Sequence, residues 1–308
     1  MKYAVEINKL NKIYKKSKHS PEKHALVDID LVIPKGSIFG LLGPNGAGKS
    51  TIINIMAGLT VKSSGDVRVW GHDIQSDARS AKACIGVVPQ ELNFDPFFTP
   101  YQSLELQAGM YGVPKNERQS MKILEMVGLA DKRDAYVRSL SGGMKRRLLV
   151  AKAMVHSPHI LVLDEPTAGV DVELRRQLWQ NVRALNSYGV TILLTTHYLE
   201  EAEELCDRIA IINNGQVVAC EGKHTLLRRI DSKEIIFSLD REVVDIPDSL
   251  QSYCAVLKDP RTLSLRYHPK DSSAGYIISL VQEAGYGIVD ITTKQSHLED
   301  VFLQLVGS

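Results

Sequence analysis

Hydrophobic and polar positions change period several times along this chain, and each change marks an element. Tyr3, Val5 and Ile7 alternate with Ala4, Glu6 and Asn8, the period of a half-buried strand over residues 3–10. Residues 25–33 and 37–42 are two more strand-like runs around the turn Pro34-Lys35-Gly36. Residues 49–59 take helical spacing, with Ile52, Ile53 and Met56 as apolar positions, and residues 66–70 and 85–88 return to strand. From about 100 to 156 the pattern is helical: Ile123, Leu124 and Val127 form one face, Gly128 closes that helix, and Ser141 suits the N-cap of another.

From residue 160 strand and helix alternate. Residues 160–163 form a strand. Asp171 caps a helix with Leu174, Leu178, Val182 and Leu185 on its apolar face, stopped by Gly189. Residues 190–195 predict a strand, 198–206 a helix, and 209–212 with 216–219 a hairpin across Asn214-Gly215. Such alternation implies an α/β fold around a largely parallel sheet, and the helical block at 100–156 should form its own lobe. After Gly222 the character changes to helix (225–230), strands (234–239 and 263–267), helix (273–284), strand (288–292) and helix (298–306). Two domains are therefore expected, residues 1–222 and a small α+β appendage at 223–308.

Composition excludes more than it assigns. With 308 residues and a net charge of +1, no global charge argues for nucleic acid. No run approaches the ~18 apolar residues of a membrane helix, and no apolar segment follows Met1-Lys2-Tyr3 as in a secretory signal. A cytosolic location is expected, with any work at a membrane done through a partner. Cys84, Cys206, Cys220 and Cys254 make no Cys-x-x-Cys pair, so they read as small hydrophobes rather than zinc ligands. The basic stretch with Lys15, Lys16, Lys18, His19 and Lys23 suits a solvated loop or an anionic headgroup.

Candidate chemistry lies in three separated segments. Gly43-Pro44-Asn45-Gly46-Ala47-Gly48-Lys49-Ser50-Thr51 follows a strand and opens a helix, the context a phosphate-binding loop requires. Backbone N–H groups and the helix N-terminus would face phosphate oxygens, Lys49 would neutralise the β/γ-phosphates, and the Ser50 hydroxyl would reach Mg2+. Asp164 and Glu165 end an apolar strand. Asp164 suits the hold on Mg2+, and Glu165 the orientation of an attacking water. Leu140-Ser141-Gly142-Gly143-Met144 is a second glycine turn opening a helix.

In this order the segments resemble the ATP-binding cassette (ABC) family over residues 1–222. That resemblance implies a P-loop NTPase core sheet with an antiparallel β subdomain and an α-helical subdomain. It assigns Tyr14 to adenine stacking, and Gln90 to Mg2+ and to sensing a transmembrane partner. Ser141, Gly142, Gly143 and Asp171, the last within Ala168-Gly169-Val170-Asp171, go to the site of a second subunit, and His197 to the γ-phosphate. Lys49, Gln90, Glu165 and His197 are then the catalytic set. The implied assembly is a homodimer around two MgATP with a separate membrane permease of about six transmembrane helices, on the cytoplasmic face of a bacterial inner membrane and without nucleic acid.

The family segment most often ends in Gln where this chain has Met144, followed by Lys145-Arg146-Arg147, a basic run expected to be partly a solvated helix face. This variant resembles the ATPases of type-2 exporters, among them drug-resistance, nodulation-factor and polysaccharide pumps, as does the stretch from Leu298 to Leu303. Residues 89–94 and 168–176 are similar to the bacterial YadG-type subunits. A cassette ATPase uncoupled from transport, and an importer ATPase, are the alternative readings. Phe94, Phe97, Phe98 and Tyr101 suit either a groove for a partner helix or internal packing of the lobe.

Overall fold

β1 (Tyr3–Tyr14) runs past the expected residue 10 because its partner β2 (Lys23–Pro34) stays paired as far as Tyr14↔Lys23. Register shifts accompany the extra length, with Lys9 and Asp28 both in the left-handed region. The computed structural model describes residues 2–16, 21–168, 170–228, 233–268, 271–295 and 298–306. The expectations that touch Lys18, His19, Gly169, Ile230 and the Leu174 side chain lie outside the described residues.

β3 (Ile38–Leu42) leads into α1 (Lys49–Met56), which ends before residue 59 because Gly58 turns to φ +69° and Leu59 leaves the core, 75% exposed. β4 (Ser64–Val69), β5 (His72–Asp73), α2 (Ala78–Ala83) and β6 (Ile85–Val88) follow. The helical stretch holds α3 (Pro100–Met110), α4 (Ser120–Met126) and α5 (Gly142–Met154). Thr99 and Gln102 form a reciprocal capping box that starts α3, with Pro100 in its first turn. Gly128 at φ +65° follows α4, as its position predicts.

β7 (Ile160–Asp164), α6 (Val172–Ser187), β8 (Thr191–Thr196), α7 (Leu199–Leu205), β9 (Arg208–Asn213) and β10 (Gln216–Gly222) complete the first of two compact units, Met1–Lys223. Asn214 and Gly215 both take positive φ in the turn between β9 and β10, as a tight hairpin requires.

Two sheets build this unit. One is antiparallel, in the order β2-β1-β4-β5. The other runs β10-β9-β3-β8-β7-β6, with every pair parallel except the hairpin β9–β10. The alternating strands and helices thus give the α/β core that the sequence predicts. Ile52, Ile53, Ile55 and Met56 of α1 share one buried cluster with Val5, Ile7 and Ile29 of the first sheet and Phe39, Leu41 and Val162 of the second. Each fully buried side chain of this size contributes roughly 1.5–3 kcal/mol, so the helix that follows the glycine loop is fixed from two sides.

The second unit, His224–Ser308, has its own buried cluster. α8 (Lys223–Leu227) leads into it, followed by β11 (Lys233–Leu239), α9 (Asp248–Gln251), β12 (Val256–Asp259), β13 (Thr262–Tyr267), α10 (Ala274–Glu283), β14 (Ile288–Gln295) and α11 (Leu298–Val306). The strands form an antiparallel sheet in the order β12-β13-β11-β14, and Ile277 and Val281 of α10 join Ile235, Phe237 and Leu265 in its core. Among the described residues, no helix of either unit is long and apolar enough to cross a membrane.

Candidate functional site

Four adjacent parallel strands, in the order β3-β8-β7-β6, release their chains at the same sheet edge. The glycine loop follows β3, His197 follows β8, Asp164 and Glu165 end β7, and Gln90 lies just past β6. Strand pairing therefore brings together residues as distant in the chain as Gly43 and His197, at the carboxyl edge where open α/β sheets place their ligand sites.

The loop from Gly43 to Gly48 is clamped by neighbouring backbone. Gly48 has φ +114°, and a Cβ there would lie 2.8 Å from the Ala25 carbonyl oxygen. Gly215 N–H donates to the Ala47 carbonyl at 3.0 Å, and Val27 N–H donates to Gly215 at 2.8 Å. The β9–β10 turn and β2 thus hold the loop from outside. Within it, the Lys49 ammonium donates to the carbonyls of Gly43 (2.7 Å) and Pro44 (3.2 Å). Lys49 is buried, which pushes its pKa down, while the nearby charges of Glu165 and Asp164 hold it up. Ser50 and Asn45 are exposed on the same loop.

Glu165 sits at φ +47°, a conformation side chains rarely adopt. Its N–H donates to the Thr195 carbonyl at 3.0 Å and to Thr195 Oγ1 at 3.2 Å, which fixes the turn. The carboxylate is held at both oxygens: Gln90 Nε2 donates to Oε2 at 3.2 Å, and His197 Nδ1 lies 3.2 Å from Oε1. Thr195 Oγ1 also donates to Asp164 Oδ1 at 2.5 Å, so one hydroxyl holds the Asp164 carboxylate and the Glu165 backbone. Sequence reasoning missed Thr195; its position at the end of the strand neighbouring the two acids was the available signal. The oxygen donors Ser50, Gln90 and Asp164 suit a hard divalent cation that takes only a few protein ligands. Among the described residues no cluster of three or more His, Cys, Asp or Glu could hold a metal alone.

The second glycine turn lies elsewhere on the unit. Ser141 caps α5 as its position predicts, accepting from Met144 N–H at 3.2 Å. Ser141, Gly142 and Gly143 line an open groove with Ala168, Val170 and Asp171. Among the described residues no hydrogen bond joins residues 141–143 to the loop at 43–51. The Asp171 carbonyl accepts from Arg175 N–H at 3.0 Å, the first backbone bond of α6.

Of the basic run after Met144, Lys145 is half-exposed, whereas Arg146 and Arg147 turn inward. Arg146 is only 6% exposed, and its guanidinium donates to the carbonyls of Gln90 (2.8 Å) and Ala168 (3.3 Å). Arg147 donates to the carbonyls of Val127 and Gly128 at the end of α4. Both side chains satisfy backbone groups of neighbouring segments, which turns them inward.

Tyr14 is 41% exposed, with the Lys12 ammonium 4.7 Å from its ring centroid. Its strand partner Lys23 reaches the loop, its Nζ 3.9 Å from where a Gly46 Cβ would lie. The aromatic stretch divides: Phe97 is 68% exposed, whereas Phe94 and Phe98 are half-buried. Arg138 and Lys152 lie over Phe97 and Phe94 respectively.

Comparison with known proteins places this geometry in company. Residues 26–168 match the sequence profile described as ABC transporter. The chain is 38% identical to the Nod factor export ATP-binding protein I of Cupriavidus metallidurans, over 92% of this chain and 93% of that protein. It is 39% identical to the linearmycin resistance ATP-binding protein LnrL of Bacillus subtilis, over 93% and 94%. Among solved structures it resembles an ATP binding subunit of an ABC transporter (TM-score 0.63, 26% identity, 74% of this chain and 93% of that one). It also resembles the dimeric post-hydrolysis state of the ATP-binding cassette MJ0796 bound to ADP and Pi (TM-score 0.62, 26% identity, 71% and 98%).

Proposed function

The chain belongs to the ABC transporter ATP-binding family, and from that premise we propose how its site works and what it works with. It is the ATP-binding and ATP-hydrolysing subunit of an export system, acting as a dimer with a membrane permease. The observation that carries this reading is the convergence at one sheet edge of Lys49, the Asp164–Glu165 pair, Gln90 and His197.

Lys49 and the N–H groups of residues 43–51 bind the phosphates, with the helix N-terminus adding its positive end. Tyr14 stacks on the adenine. Ser50, Asp164 and Gln90 would hold Mg2+, which would supply neutralisation of the phosphate charge. Glu165 orients the attacking water and draws on its proton. Gln90 and His197 keep that carboxylate aimed, and His197 also faces the γ-phosphate.

Ser141, Gly142, Gly143 and Asp171 serve the nucleotide of a second copy, in keeping with their separation from this chain's own loop. Two ATP molecules then lie across a symmetric interface. ATP favours the closed dimer and ADP the open one, and that difference in affinity drives the permease.

Residues 1–222 form the nucleotide-binding domain, with 100–156 as its helical subdomain, and residues 223–308 an exporter-type appendage. This division is supported by two separate buried clusters. Met144, the tail from Leu298 to Leu303 and the export names of the relatives support the type-2 exporter class, and the likeness of residues 89–94 and 168–176 supports a YadG-type subunit within it. A permease of about six transmembrane helices would hold the chain on the cytoplasmic face of the membrane, with no role for nucleic acid. Phosphate release by the purified full-length chain tests the reading: it should require both ATP and Mg2+ and vanish in Glu165→Gln. Equal release by wild type and Glu165→Gln would overturn it.

A further inference from the structure

The buried Arg146 guanidinium joins three segments that the reaction uses. It extends from α5, the helix Ser141 caps, and its two arms end on the Gln90 carbonyl and the Ala168 carbonyl. Gln90 in turn holds Glu165 through its side-chain amide, and Ala168 begins the loop that leads to Asp171. A planar guanidinium offers donors in a fixed fork, so holding two carbonyls at once sets their relative position in a way a single ammonium cannot. The contacts are charge-assisted and screened from water, which strengthens them and makes either carbonyl costly to leave unpaired. Burial pushes the Arg146 pKa down from its ordinary value, and the charge of the fully buried Glu201 opposes that shift.

We propose that Arg146 is a positioning residue for hydrolysis, one that makes the aim of Glu165 depend on how α5 is seated. The inference rests on the reading above, in which the start of α5 engages the nucleotide of the second copy. When Ser141 closes on that nucleotide, α5 settles and Arg146 fixes Gln90, which fixes Glu165 of its own chain. One site then reports its occupancy to the other along a contiguous set of hydrogen bonds. Arg146 touches neither nucleotide nor water; it acts through Gln90.

The test is a double-mutant cycle on kcat in the full-length chain, using Arg146→Met, Gln90→Ala and the double substitution, with MgATP as substrate and a fluorescent ADP analogue as binding probe. Arg146→Met should lower kcat by about tenfold or more, while ADP affinity and KM stay within about twofold. In the Gln90→Ala background the same change should cost less than about threefold, because the residue through which it acts is already gone. Arg146→Lys, which keeps the charge and a single donor, should fall between wild type and Arg146→Met and replaces it in the cycle should the methionine variant not fold. Additive losses, an unchanged kcat, or ADP affinity lost in parallel with kcat would overturn the proposal. A wild-type chain that hydrolyses no ATP would overturn the parent reading instead, so the two failures are distinguishable.

Discussion

Nδ1 of His197 lies 3.2 Å from Oε1 of Glu165, while Gln90 Nε2 holds the other oxygen of the same carboxylate at 3.2 Å. The three residues come from the ends of three parallel strands, β8, β7 and β6. Removing either neighbour should therefore misaim Glu165 without disturbing the phosphate loop. His197→Ala is expected to lower kcat by about 10²-fold or more, with nucleotide affinity within a few-fold of wild type. Single-turnover hydrolysis alongside a fluorescent-nucleotide titration checks the split; a loss confined to affinity would contradict it.

Lys49→Ala should act on binding. The buried ammonium is tied to the carbonyls of Gly43 and Pro44 and is the one side-chain cation of the loop itself. A charge-assisted hydrogen bond of this kind contributes about 1.5–3 kcal/mol, so ATP should bind roughly 10- to 100-fold more weakly and turnover should disappear. Isothermal titration with ATP gives the number. Wild-type affinity in this variant would remove Lys49 from the phosphate site.

Gly48→Ala should cost stability as well as activity. The position needs φ +114°, and its new methyl would meet the Ala25 carbonyl oxygen at 2.8 Å and Leu26 Cδ2 at 2.7 Å. Strained backbone of this kind costs about 1–3 kcal/mol. Urea unfolding should show a lower midpoint with an unchanged slope, and a midpoint equal to wild type would mean that the loop relaxes freely.

The glycine loop, the paired acids and the α5 cap were legible in the sequence because each depends on neighbours within a few positions. The parallel core was legible from the alternation of apolar strands with helices. What stayed hidden depends on distant segments or on weak patterning. Arg146 looked like part of a solvated run because helical spacing does not reveal that the Gln90 backbone, 56 residues away, covers it. β12 escaped because all four of its residues are exposed at a sheet edge and show no alternation. α2 and α9 are only six and four residues long, each with a single buried side chain. The left-handed turn at Glu165 is set by Thr195 on the adjoining strand, which no local pattern announces.

A chain ending at Lys223 should still bind ATP. The candidate site residues Tyr14 to His197 all precede that point, and among the described residues the buried cluster around α1, with the half-buried side chains packed against it, reaches no further than Cys220. Calorimetric titration of the truncated chain should return an ATP affinity within a few-fold of the full chain. Loss of binding with an intact circular dichroism spectrum would mean that residues 224–308 help to build the nucleotide site.

Ser141→Arg and Lys49→Ala should each be inactive alone and regain activity when mixed. On the proposed arrangement each composite site takes its phosphate loop from one copy and Ser141 from the other, so a mixed dimer would have one site with both defects and one with neither. Phosphate release from the mixture is the assay. No recovery, with mixed dimers shown to form, would rule out two sites that work independently.

The central claim is that ATP itself joins two copies of this chain, and Glu165→Gln tests it most directly. The amide cannot take a proton from water, so hydrolysis stops while every phosphate contact remains. Size-exclusion chromatography of this variant should give a monomer without nucleotide or with MgADP, and a dimer with MgATP. A variant that binds MgATP and still elutes as a monomer would contradict the account.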